Sequence, residues 1–302
     1  MKTKIILNPV AGRGYSAKAE PEICKFLKNE GVDFDLVHTE RNGHAIELAE
    51  QAINDGFEIV VAAGGDGTTN EVINGLMTAS GGKEASGMLG LIATGSGSDF
   101  TYNVGIPGDI HEACRRIARG RTRMVDLGKL TLHDEKPRYF DNQLGIGFDG
   151  VVTVEAMKFK RLRGMALYLP VVLKTIFLTN KATNVKIEYD DQVLELPTIQ
   201  ISVVNAPREG GGFYMAPEAQ LDDGYFDLCI LNEIGKLSMM GLVPKFMSGT
   251  HVEHKATTMA RAKKVTITSE DNLVAHYDGE LLCTEGHKIM CEIVPRPLRV
   301  VC

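Results

Sequence analysis

Residues 59–75 read Ile-Val-Val-Ala-Ala-Gly-Gly-Asp-Gly-Thr-Thr-Asn-Glu-Val-Ile-Asn-Gly, and no other stretch limits the fold as much. The first half is a short apolar run, rich in β-branched residues and closed by glycine, the pattern of a buried strand in a parallel sheet. The second half predicts the start of a helix. Glycines 64, 65 and 67 leave backbone N–H groups uncovered between the two, and a helix N-terminus adds donors and the positive end of a dipole. Such a turn serves either the backbone alone or a phosphate. Asp66 is its unusual member, because a carboxylate facing polyphosphate repels it unless Mg²⁺ lies between them or the acid acts chemically. No Gly-Lys-Ser/Thr follows the glycines, which excludes a Walker A loop.

The flanking sequence repeats the strand-then-helix theme. Ile5–Leu7 predicts a strand ending in the polar turn Asn8–Gly14, followed by a helix over 17–29, a strand over 34–38 and a helix over 44–55. Met88–Ala93 predicts another buried strand, and Thr94-Gly95-Ser96-Gly97-Ser98-Asp99-Phe100 is a second glycine-rich turn carrying an acid. A helix over 110–120 closes the series. Alternation of this kind implies βαβ units, and ligands in such sheets collect at the C-terminal ends of the strands. Beyond residues 122–130 strands dominate, at 139–144, 185–189, 192–196, 199–205, 226–231, 264–268, 274–277 and 288–294, which predicts a β-rich second domain built as a two-layer sandwich.

A chain of 302 residues, 44% of them hydrophobic, suffices for two domains. Its net charge of −6 offers no basic field for a nucleic acid. The cysteines at 24, 114, 229, 283, 291 and 302 form no Cys-x-x-Cys pair, which points to reduced thiols and a cytoplasmic location. The first apolar run ends at Asn8-Pro9, too short for a signal-peptide core, and the longest, Met165–Leu178, is broken by Pro170 and Lys174, so no transmembrane anchor is expected. That run follows the basic segment 158–163. Together they read either as a solvated charge cluster before a core helix or as a peripheral contact with an anionic membrane.

The order Gly64-Gly65-Asp66-Gly67-Thr68, then Asn70-Glu71 and Asn74-Gly75, resembles the nucleotide-binding motif of the diacylglycerol kinase catalytic-domain family, the bacterial lipid kinases related to sphingosine and ceramide kinases. NAD kinases and phosphofructokinases are similar at greater distance. Asn8–Gly14, Thr94–Phe100, Pro217–Asp227 and Asp278–Glu280 extend the resemblance over nearly the whole chain. The second turn departs from the family pattern: Ser98 stands for the usual Asn and Tyr102 for the usual Arg, which removes a cation.

The resemblance implies an α/β plus β fold: a Rossmann-like nucleotide-binding domain over 1–125 with a returning strand at about 296–302, and a C-terminal β-sandwich lipid-substrate domain over 126–295. It implies ATP and Mg²⁺ as cofactors, with ATP in the cleft between domains. Nucleotide contact falls to Asn8, Pro9, Val10, Ala11, Gly12, Arg13, Thr39, Gly64, Gly65, Asp66, Gly67, Thr68, Thr69, Asn70, Glu71 and Thr94; by residue type alone, Thr39 reads equally well as a helix cap. Catalysis falls to Glu280 as general base with Asp66 and Asp99 holding Mg²⁺ or the alcohol, although Asp278-Gly279 alone reads as a hairpin turn. A structural Mg²⁺ would take the Asp223 side chain and the Gln220 and Tyr225 carbonyls, with Asp126 linking this loop to the nucleotide site. The implied reaction is ATP-dependent phosphorylation of a lipid hydroxyl presented at a membrane surface, diacylglycerol giving phosphatidic acid. An NAD kinase-like or other small-molecule kinase, or a non-catalytic nucleotide sensor, is the alternative. A homodimer stays open.

Overall fold

A computed structural model describes residues 1–106, 108–131, 137–159, 165–179 and 181–302. The chain divides into two compact units, residues 1–127 with 295–302 and residues 128–294.

The first unit contains β1 (Thr3–Leu7), α1 (Ala11–Asn29), β2 (Phe34–His38), α2 (His44–Asn54), β3 (Ile59–Gly64), α3 (Asp66–Ala79), β4 (Met88–Ala93), α4 (Asp99–Asn103), α5 (Ile110–Arg119) and the start of β5 (Thr122–Thr131). Its parallel sheet runs β4-β3-β1-β2, and Arg299 and Val300 of the last strand pair in parallel with Met88 and Leu89 at the β4 edge. Every residue of β3 is buried, because helices cover both faces of a parallel sheet. Residues from α1 and α5, Ile23, Leu27, Ala113 and Ile117 among them, share one core with Ile5, Leu7, Val61 and Ala63. The alternate residues Ile6, Val60 and Ala62, also buried, are left to α2 and α3, which pack on each other and on the sheet. Gly75 permits that packing: a Cβ there would lie 2.4 Å from the Ile46 carbonyl oxygen. Strand order reverses at β1, so the crevice between the β1 and β3 turns is the topological switch point.

The second unit contains β6 (Arg138–Phe140), β7 (Gln143–Gly147), α6 (Phe148–Met157), α7 (Met165–Thr179), β8 (Thr183–Tyr189), β9 (Gln192–Val204), the two-residue strands β10 (Arg208–Glu209) and β11 (Phe213–Tyr214), β12 (Phe226–Asn232), α8 (Lys236–Ser248), β13 (Thr257–Ala262), β14 (Lys264–Tyr277) and β15, which starts at Glu280 and ends at Val301. Two long strands build both layers of the sandwich: β9 pairs with β12 and β7 through 200–204 and with β8 through 192–198, while β14 pairs with β8 through 265–268 and with β7 through 275–277. Phe140, Ile146, Ile187, Val203, Phe226, Ile267 and Ile289 fill the core between the layers. Phe148, Ile176, Cys229, Leu231, Leu242 and Phe246 belong to a second core that joins the sheet to α6, α7 and α8.

Several elements differ from the sequence reading. The segments 192–196 and 199–205 form one strand through Pro197, and 264–268 and 274–277 form another whose register is irregular between Thr268 and Leu273. α6 and α8 are helices that periodicity does not announce. β-branched Val151, Val152, Thr153 and Val154 mimic a strand, and α8 carries Gly241 and Pro244 internally. Burial against the sheet overrides these local preferences. α1 is broken near its start by Gly12, Arg13 and Gly14, which are left-handed, so its regular helix runs from beyond that kink, close to the expected start at 17.

Candidate active site

Four turns of the first unit meet at the C-terminal ends of its strands. The β1 turn is tied to β3 by the Asn8 N–H donating to the Ala63 carbonyl at 3.0 Å, and to α3 by Asn8 Nδ2 donating to Thr68 Oγ1 at 3.0 Å. Asn8 Oδ1 accepts the Val10 N–H. Gly12 is required where it stands: φ is 58° and a Cβ would lie 2.3 Å from the Thr94 carbonyl oxygen. The two glycine-rich turns are in van der Waals contact. Gly95 N–H donates to the Gly64 carbonyl at 2.8 Å, and a Cβ on Gly95 would lie 2.3 Å from the Gly65 Cα. Glycine at these positions lets the turns pack backbone against backbone, which shapes a cradle between them.

Asp66 and Asp99 are each the first residue of a helix, α3 and α4. Asp66 Oδ1 accepts the Phe100 N–H at 3.2 Å, which links the two starts directly. Two carboxylates, the glycine turns between them and the N-terminus of α3 form a set that suits Mg²⁺ and a polyphosphate together. Arg13 is exposed on the β1 turn. Thr94 is buried, and its hydroxyl bonds Ser16 Oγ at 2.9 Å. Thr69 and Asn70 are buried on α3, and Asn70 receives the Asn74 amide. Glu71 has structural work: its carboxylate accepts the Gly43 and Ala45 N–H groups at 2.8 and 3.0 Å and so caps α2. The cap is therefore not Thr39, whose own N–H bonds the Leu7 carbonyl.

Glu280 belongs to the second unit, exposed at the start of β15. Asp278 fixes the turn before it. Its Oδ2 accepts the Asp141 N–H at 2.8 Å and its Oδ1 accepts those of Asn142 and Gln143 at 2.9 and 3.0 Å. The Asp-Gly-Glu hairpin is thus clamped to the β6–β7 connection, with Asp278 itself left-handed at φ 45°.

In the 217–227 loop, Asp223 Oδ1 accepts the Tyr225 N–H at 3.0 Å and Oδ2 is ion-paired with Arg261. Arg261 also lies 3.5 Å from Asp227 and stacks over the Tyr225 ring. Burial raises the Asp227 carboxyl above its ordinary range, and the guanidinium partly offsets this. A cation on Asp223, Gln220 and Tyr225 would have to displace that guanidinium, so no step is assigned to it. Asp126, fully buried, accepts the Arg296 N–H at 2.7 Å within the first unit.

Sequence reasoning missed a cavity in the second unit. Phe148, Val152, Ile176, Leu242 and Phe246 line its apolar walls, and Gln143, Asp149, Glu209 and His276 gather at a polar end. It encloses about 710 Å³ of atom-free space, the open solvent at its mouth included. The signal was the run Gly145-Ile146-Gly147-Phe148-Asp149-Gly150. A Cβ on Gly145 would lie 2.3 Å from His276 Nε2 and 2.6 Å from Asp149 Oδ2, so that glycine lets the polar pair seat against β7.

Residues 2–130 match the profile of the diacylglycerol kinase catalytic domain, and residues 142–302 that of the YegS C-terminal NAD kinase beta sandwich-like domain. A diacylglycerol kinase of Staphylococcus aureus is 32% identical over 281 residues, 92% of this chain and 86% of the relative. One from Staphylococcus epidermidis is 30% identical over 280 residues, 92% and 85% of the two chains. Among solved structures, a diacylglycerol kinase from Bacillus anthracis superposes with a TM-score of 0.76 at 24% identity, covering 99% of this chain and 96% of that one. Yeast NADH kinase complexed with NADH superposes with a TM-score of 0.51 at 12% identity, covering 97% and 78%, a likeness of fold.

Proposed function

The chain belongs to the diacylglycerol kinase catalytic-domain family, and from that premise we propose that it transfers the γ-phosphate of Mg²⁺-bound ATP to the hydroxyl of a lipid, diacylglycerol being the first candidate. The observation that carries the lipid reading is the cavity of the second unit, with apolar walls for a chain and a polar end for its head. The glycine cradle and Asp66 and Asp99 would bind the metal-nucleotide complex. Mg²⁺, when bound, neutralises phosphate charge and orients the γ-phosphoryl group. Glu280 is assigned the proton-accepting role, since a lipid alcohol is a poor nucleophile until its proton is taken. The hairpin clamp at Asp278 supports that assignment by fixing where Glu280 starts.

A lipid kinase must also meet a bilayer. No helix among the described residues is long and apolar enough to cross a membrane. Met157, Phe159, Phe177, Leu178 and Leu237 are instead exposed by 63, 40, 54, 66 and 83%. Lysines lie among them: Lys174 Nζ is 5.6 Å from the Phe159 ring and Lys236 Nζ donates to the Phe177 carbonyl. Apolar tips with lysines suit an anionic surface. Of the basic segment expected to contribute, residues 160–163 lie outside the described residues.

The test is incubation with labelled ATP, Mg²⁺ and a panel of lipid alcohols in mixed micelles, with NAD as control. Label in a lipid supports the proposal. Label in NAD alone overturns it. Sedimentation with neutral and anionic vesicles tests the surface, and equal binding to both would remove its support.

A further inference from the structure

Gln143 and His276 line the cavity and are 1% and 2% exposed, yet each has a buried polar atom with no hydrogen-bond partner. The Gly279 N–H donates to His276 Nδ1 at 3.3 Å. Nδ1 is therefore the acceptor, and the neutral ring carries its proton on Nε2. Asp149 Oδ2 lies 3.1 Å from Nε2, but beside the N–H direction rather than along it, and the same oxygen already receives the Gln143 amide at 3.0 Å. With its amide nitrogen spent on Asp149, Gln143 is left with Oε1 as an unused acceptor. The polar end thus holds one orphaned donor and one orphaned acceptor, neighbours through a shared carboxylate. Buried polar atoms are seldom left unpaired, and those that are call for a group not yet in place.

Only some groups satisfy both atoms. A hydroxyl accepts from Nε2–H while donating to Oε1. An ether or ester oxygen accepts but cannot donate. A carboxylate or phosphate likewise cannot donate and would face Asp149 and Glu209, the latter 4.0 Å from His276 Nδ1. An ammonium donates but cannot accept. We propose that Gln143 and His276 form a hydroxyl-reading site at the polar end of this cavity, which admits a lipid with a free alcohol and discriminates against its capped counterpart, the chain lying along Phe148, Val152 and Leu242. This deepens the lipid kinase reading and rests on it for the identity of the ligand as substrate.

The test separates binding from catalysis. Isothermal titration of the full chain without ATP compares dioctanoylglycerol with its methyl ether in the same detergent. A buried site that loses one partner forfeits about 10- to 100-fold in affinity, so the alcohol should bind more tightly by that factor. Gln143→Leu and His276→Ala should each bring the alcohol down towards the affinity of the ether. Equal binding of alcohol and ether by the unaltered protein overturns the site, and needs no variant to fold. So does a preference that survives both substitutions, since the two side chains would then serve only a cavity water or the Asp149 rotamer. Phosphorylation of lipid without this discrimination sinks the site alone, whereas discrimination without lipid phosphorylation sinks the kinase reading alone.

Discussion

Asp278 and Glu280 sit two residues apart in one hairpin, and their exchange for amides should have opposite consequences. Asp278 is 7% exposed and its two oxygens hold three backbone N–H groups. Asn in its place keeps one acceptor. Turned so that its oxygen still serves Asn142 and Gln143, it points an NH₂ at the Asp141 N–H, donor against donor. One charge-assisted bond is lost, the other two lose their charge, and a buried N–H is orphaned, together about 2–4 kcal/mol. At about 2–4 °C per kcal/mol for a unit of this size, melting of the second unit should fall by roughly 5–15 °C. Hydrogen exchange at 141–143 localises the loss. Glu280→Gln, at an exposed position, should alter stability by less than about 0.5 kcal/mol yet lower kcat about 10²- to 10⁴-fold if Glu280 accepts the alcohol proton. Asp278→Asn with unchanged melting and unchanged exchange at 141–143 would refute the clamp. Glu280→Gln with near-normal kcat at saturating lipid would send the search for the base to Asp66 or Asp99.

Other expectations are more compact. Asp66→Asn should raise the apparent KM for MgATP as well as lower kcat, and steady-state kinetics at varied MgATP distinguishes this from a loss in kcat alone. Arg261→Ala should expose the Asp223 carboxylate, so that added Mg²⁺ raises Tm more in the variant than in the unaltered protein; equal Mg²⁺ responses would mean that ion and guanidinium do not compete. Burial pushes the Cys229 thiol up to about 12, above its unfolded value near 9, so the stability it contributes is intact below pH 9 and is lost as pH rises towards 12. The loss amounts to at most about 1.4 kcal/mol per pH unit. Urea midpoints between pH 8 and 11 should fall less steeply for Cys229→Ala, and parallel slopes would refute the assignment.

The fold class was legible because its decisive signals are local. A β-branched run closed by glycines, as at 59–64, is both the strand and the turn, and two such turns announce a parallel sheet with a ligand edge. Glycine spacing also marked where backbones touch, at Gly65 and Gly95. The cavity was hidden for the opposite reason. Its polar end takes Gln143 from one strand, Asp149 from a helix that reads as a strand, and His276 from a strand remote in sequence. Each is unremarkable alone, and only the β7–β14 pairing that sets His276 opposite Gly145 brings them together.

How each acid is compensated bears on what it is free to do. Glu71 is neutralised in effect by the N-terminus of α2, Asp278 by three amides and Asp223 by a guanidinium, and all three arrangements hold backbone or loop in place. A carboxylate so engaged has its acceptor positions committed to the fold. Asp278 is therefore committed to the turn even though it adjoins Glu280. Asp66 and Asp99 stand instead at helix starts, where the dipole favours the anion, and Asp66 also accepts the Phe100 N–H. The division of labour then follows from compensation rather than from position in the motif: acids held by several amides or a guanidinium build the turns, acids at helix starts stand where metal and phosphate are proposed to bind, and the proposed base Glu280 stands exposed at the head of β15.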